Sequence, residues 1–128
     1  MPPSDSAPTD LAGAIDAIEE TYEFMLAYAA QGRVNDDDTA SAGIRSYLQR
    51  SDEALGVFAA VNLPDAAAQK FLDVVRQDAM KASAAIRLVL AQSTISSQIV
   101  DNLNASIHLR ALLTDLFLLD EALKITGV

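Results

Sequence analysis

Apolar residues recur at helical spacing along most of this chain. At 100° per residue, Leu11, Ala14, Ile15, Ile18, Tyr22, Met25, Leu26 and Ala29 fall on one arc of about 120°. This predicts a first helix over 10–31, with Thr9 as N-cap and Gly32 as the residue that turns the chain out. Residues 33–41 have no periodicity and read as a polar linker. Ile44, Tyr47, Leu48, Leu55, Phe58 and Ala59 form a second stripe, predicting a helix over 41–61. Asn62-Leu63-Pro64-Asp65 is a turn, with Pro64 suited to a first helical position. A third helix, 64–91, places Ala68, Phe71, Leu72, Val75, Ala79, Ala82, Ile86, Val89 and Leu90 within about 100°. Its three alanines let a neighbouring helix approach closely.

The remaining segment, 95–125, is helical but not simply amphipathic. Ile99, Val100, Leu103 and Ile107 point one way, whereas Leu109, Leu112, Leu113, Leu116, Leu119 and Leu123 point about 140° away. Phe117 and Leu118 lie off that second arc. Either the helix is kinked or broken near Asn102–Asn104, or it is apolar nearly all round and needs cover from several sides. Strand signals do not compete: the chain has 5 Gly, no Asn-Gly or Asp-Gly pair and no sustained alternation. The expected fold class is all-α, an antiparallel up-down four-helix bundle with a long, kinked C-terminal helix. Residues 1–8, rich in Pro and Ser, are expected to form a disordered tail before a single domain over 9–128.

The 128 residues and 13.6 kDa suffice for one domain. Without cysteine there is no thiol nucleophile, disulfide or thiolate metal site, and a single histidine cannot build a site that needs two imidazoles. The net charge of −9 has the wrong sign for a phosphate backbone, so no nucleic-acid partner is expected. No run approaches the roughly 18–20 apolar residues of a membrane span. The N-terminus lacks a basic and then apolar leader, and the expected location is the cytoplasm. Residues 1–38 carry nine acidic residues against Arg33 alone, a net −8, while 39–128 carry eight basic and nine acidic. Asp16, Glu19, Glu20 and Glu23 crowd the face of the first helix opposite its core stripe. That face is either solvated or docks a basic partner. Lys70, Arg76, Lys81 or Arg87 would offset part of its repulsion if the third helix lay alongside.

Catalytic chemistry finds no foothold. A di-iron carboxylate bundle needs Glu-x-x-His pairs, but Ala105 stands three before His108 and there is no second histidine. An EF-hand started at Asp36 would reach Tyr47 where its terminal Glu belongs. The glycines match no phosphate loop. Ser93 to Ser97 read as N-capping residues, and His108 as a surface residue with no nucleophile beside it. The expected protein is not an enzyme and holds no cofactor or metal. It is a protein–protein interaction module: an adaptor, chaperone or regulatory subunit, with another protein or a second copy of itself as partner. Leu109, Leu112, Leu113, Leu116, Phe117 and Leu119 would form its interface, with Phe24 and Tyr28 as an aromatic ledge beside the acidic face. The alternative is a small-molecule carrier with an apolar pocket between helices, lined by Tyr22, Tyr47 and Ser51.

Overall fold

A computed structural model describes residues 8–37 and 43–126. Among them there are five helices and no strand: α1 (Leu11–Ala29), α2 (Ile44–Ala60), α3 (Ala66–Leu90), α4 (Ser97–Ala105) and α5 (Ile107–Thr126). The all-helical expectation therefore holds, with five helices rather than four. The expected tail falls almost wholly on residues 1–7, which lie outside the described residues.

Local chemistry accounts for the helix ends. Asp10, Asp65 and Ser96 cap α1, α3 and α4 by accepting the backbone N–H three residues on. The carboxylates of Asp10 and Asp65 thus take the roles expected of Thr9 and of a Pro64 start, because they meet those amides directly. Gly32 follows α1 at φ +67°, a left-handed conformation that glycine adopts without steric penalty. The helix expected over 95–125 divides at Ser106, where ψ 128° leaves the helical region. The change of apolar face between Ile107 and Leu109 thus coincides with a break two residues beyond Asn104.

α1 packs on α2, α4 and α5, and α3 packs on α2, α4 and α5; the backbones of α1 and α3 nowhere approach closely. The basic residues of α3 therefore cannot shield the acidic face of α1. Glu19 instead faces Asp120 and Lys124 of α5. Burial, then Asp120 and the neighbouring acids of α1, push its carboxyl above the ordinary value despite the opposing Lys124. Hydrogen bonds along α2 and α3 link Arg45 with the Leu90 carbonyl, the Ser83 hydroxyl with Asp52, and Arg76 with the carbonyls of Phe58 and Val61. The core between these rods contains Ile18, Met25, Leu48, Phe58, Leu72, Ile86, Leu112, Leu116 and Leu119, all essentially without solvent contact. Ala79 and Ala82 lie in the same core, where their small side chains allow close helix approach.

Candidate functional site

The stripe expected to face a partner faces the chain's own core. Leu109, Leu112, Leu113, Leu116 and Leu119 are all buried, packed with residues from α1, α2, α3 and α4. With α4 and α5 as separate rods, α5 can turn its most continuous leucine face inward without dragging α4 with it. What remains outside is a second, thinner stripe. Ile107, Phe117 and Leu118 are 74%, 51% and 59% exposed, so Phe117 alone of the expected α5 interface residues faces solvent.

Leu118 also lines a groove of about 270 Å³ between the start of α3 and the end of α5. Ala68, Phe71, Leu119, Ala122 and Leu123 form its walls, and Asp65 stands at its edge. A shallower hollow of about 450 Å³ lies toward the start of α5, lined by Ile107, Arg110, Ala111, Thr114 and Asp115. Asp115 also meets Asp78 of α3. Burial first, and then the Asp78 carboxyl beside it, push the Asp115 carboxyl up to about 7.

The aromatic ledge is not a ledge. Tyr28 is 3% exposed, and its hydroxyl donates to the carbonyls of Ile95 at 2.5 Å and Asn35 at 3.1 Å. Burial chiefly raises its phenol above the ordinary value. The Phe24 ring stacks on Tyr47 with centroids 4.1 Å apart. Tyr47 of α2 covers Phe24, and the loops carrying Asn35 and Ile95 close over Tyr28. Ser97 Oγ donates to Tyr28 O and receives the Arg33 N–H, while Ser97 N donates to Arg33 O. Tyr28→Phe is therefore expected to lower folding stability by about 1–2 kcal/mol in urea denaturation, because the buried Ile95 carbonyl loses its side-chain donor. An unchanged midpoint would show that the hydroxyl does not tie the loops together.

The residues expected to line a ligand pocket sit against the core: Tyr47 and Ser51 are buried and Tyr22 is half-buried. The hollows of the α2/α3 and α3/α5 faces are lined by other side chains. Between α2 and α3 an open groove of about 550 Å³ runs past Gly56, Ala59 and Met80, with Arg76 and Arg87 on its walls. Both arginines are engaged there. Arg87 pairs with Asp52 at 2.9 Å, Asp52 accepts the Ser83 hydroxyl, and Arg76 donates to the carbonyls of Phe58 and Val61. In the sequence these arginines stand out only as charge. The bonds of Arg76 to carbonyls at the end of α2 join positions 15 and 18 apart, and the Arg87–Asp52 pair joins positions 35 apart; no local spacing signals such contacts.

His108 is exposed on α5, and the break at Ser106 separates it from Asp101 and Asn104. Among the described residues no group of three or more His, Asp or Glu side chains is placed to hold a metal ion, and no helix is long and apolar enough to cross a membrane. Comparison with protein-family models, with curated proteins and with solved structures finds no match to this chain.

Proposed function

We propose that this protein is a non-catalytic protein–protein interaction module, an adaptor, chaperone or regulatory subunit, which docks through the outer face of α5. One observation carries the reading: Leu118, more than half exposed, lines the apolar groove formed with Phe71, Ala122 and Leu123, and the preceding residue, Phe117, is exposed to a similar degree. Large apolar side chains that flank a groove are the anchors and sockets from which protein interfaces draw most of their energy. The reading includes an up-down antiparallel bundle in which α4 and α5 together occupy the fourth position. The opposed order of the α2/α3 pairs supports this, as does the meeting of the end of α1 with the start of α4. It also includes a cytoplasmic setting, in keeping with a chain that has no cysteine. A carrier pocket around Tyr22, Tyr47 and Ser51 has less support, since the Phe24 ring covers Tyr47.

The test is a Phe117→Glu, Leu118→Glu variant. Both side chains are exposed, so its stability should stay within about 1 kcal/mol of wild type. The wild-type protein is expected to sediment as an oligomer or to co-purify with a partner at both low and high salt, because apolar contacts resist screening. The variant should lose that association. A wild-type protein that sediments as a monomer and retains no partner at either salt concentration overturns the reading.

A further inference from the structure

The α3/α5 contact holds a pair of carboxyl groups for which the docking surface has no use. Asp78 on α3 and Asp115 on α5 meet side chain to side chain. Asp115 Oδ2 is enclosed by protein without a hydrogen-bond partner. Two ionised carboxylates in contact repel each other, and an enclosed, unpartnered carboxylate oxygen is strongly unfavourable. A single proton held between the two groups relieves both penalties, because one carboxyl then donates to the other.

Exposed cations lie on the surrounding elements, and none of them is recorded as paired with Asp115. On α3, Lys81 follows Asp78 by three residues and is exposed. On α5, His108 and Arg110 are exposed, and α4 presents Asp101, another exposed acid. The Glu19 carboxyl of α1 faces Asp120 and Lys124, further along α5. Asp78 is the charged group that acts on the Asp115 carboxyl. Helical backbone is interrupted at Ser106, and both ends of the Asn104 side-chain amide in the last turn of α4 are enclosed and unpartnered.

We propose that Asp78 and Asp115 share one proton, and that this proton fastens α5 to α3 and makes the hold of the C-terminal helix on the bundle dependent on pH. The inference concerns folding and does not rest on the docking reading. Its sign follows from linkage. The Asp115 carboxyl binds its proton more tightly in the folded chain than in the unfolded one. The extra stability is therefore complete below about pH 4, the unfolded value, and is lost as pH rises through about 7.

Urea unfolding of the full chain at pH 5.5, 7.0 and 8.5 tests this. The folding equilibrium constant of the wild type is expected to fall about tenfold or more across that range. Asp115→Asn and Asp78→Asn should each flatten the dependence and exceed wild type at pH 8.5. His108→Gln should leave it intact, which excludes the side-chain type that ordinarily titrates near neutrality. The proposal is overturned by Asn variants that parallel wild type at every pH, by Asn variants weakened equally throughout, or by a dependence that vanishes with His108. Should both Asn variants fail to fold, carbon-detected NMR titration of the wild-type carboxyls decides. One aspartate titrating near pH 7 supports the shared proton, and aspartates that all titrate below about pH 5 overturn it.

Discussion

Leu116→Ala is expected to lower folding stability by about 3–4 kcal/mol and the melting temperature by about 10–15 °C. Leu116 has no solvent contact and lies in one continuous core with Leu112 and Leu119 of its own helix and with side chains of the other four. Truncation removes its transfer energy and leaves a cavity that five packed helices cannot close freely. Leu118→Ala, two residues on and 59% exposed, should cost less than about 1 kcal/mol. Thermal and urea denaturation of the two variants side by side check the contrast. Equal losses would mean that the inward face of α5 has been misassigned. The same contrast separates fold from function: damage at Leu112 or Leu116 reports on the core, so a docking test must use Phe117 and Leu118.

Arg45→Met should be the most damaging substitution among the surface polar residues, at about 2–3 kcal/mol. Arg45 begins α2, and its guanidinium reaches across to the end of α3. There it donates to the carbonyls of Leu90 at 3.0 Å, Gln92 at 2.7 Å and Ser93 at 3.1 Å. Carbonyls at a helix end have no partner within the helix, and a cation there also opposes the negative end of the dipole. The same guanidinium pairs with Asp36 at 2.6 Å, and Asp36 in turn accepts the Ile95 amide. Burial by itself would raise the Asp36 carboxyl, but the Ile95 N–H and Arg45 outweigh it and hold the carboxyl below its ordinary value. The stability this lends is present above the unfolded value near pH 4 and is lost as acid protonates the group. Methionine keeps much of the aliphatic stem and removes the donors. The variant should therefore unfold at lower urea at pH 7 and show a smaller further loss between pH 4 and 2. A urea midpoint at pH 7 equal to wild type would remove Arg45 from its role as clasp.

Much of the architecture was legible in the chain, because helix formation is a local matter. The stripes through Ile15 and Ile18, Leu48 and Phe58, and Leu72 and Ile86 are the faces that became buried. The apolar direction changes beyond Leu103, and α4 ends at Ala105 with α5 beginning at Ile107. The candidate site was much less legible. On a single long helix the leucines of α5 are in excess, because four rods cannot cover a helix that is apolar all round. Division of the last segment into α4 and α5 gave the leucine face a place inside, and only Ile107, Phe117 and Leu118 remained out. Tyr28 and Phe24 likewise find cover that helical spacing does not reveal. Their angle from the helix-one stripe is real, yet Tyr47 and the loop carrying Ile95 cover that side.

Periodicity of 3.6, capping residues and the absence of turn-linked alternation determined from the sequence alone that this chain is helical, where its first three helices lie, and which face of each is apolar. Those properties arise among residues a few positions apart, and the chain carries that information in full. Tertiary structure alone decided which apolar face of α5 meets the core, that α3 lies across from α1 rather than beside it, and that Asp78 meets Asp115. Such outcomes depend on the distance and orientation of segments dozens of residues apart. Burial and Coulomb interactions act through space, and only the packed chain brings their partners within reach.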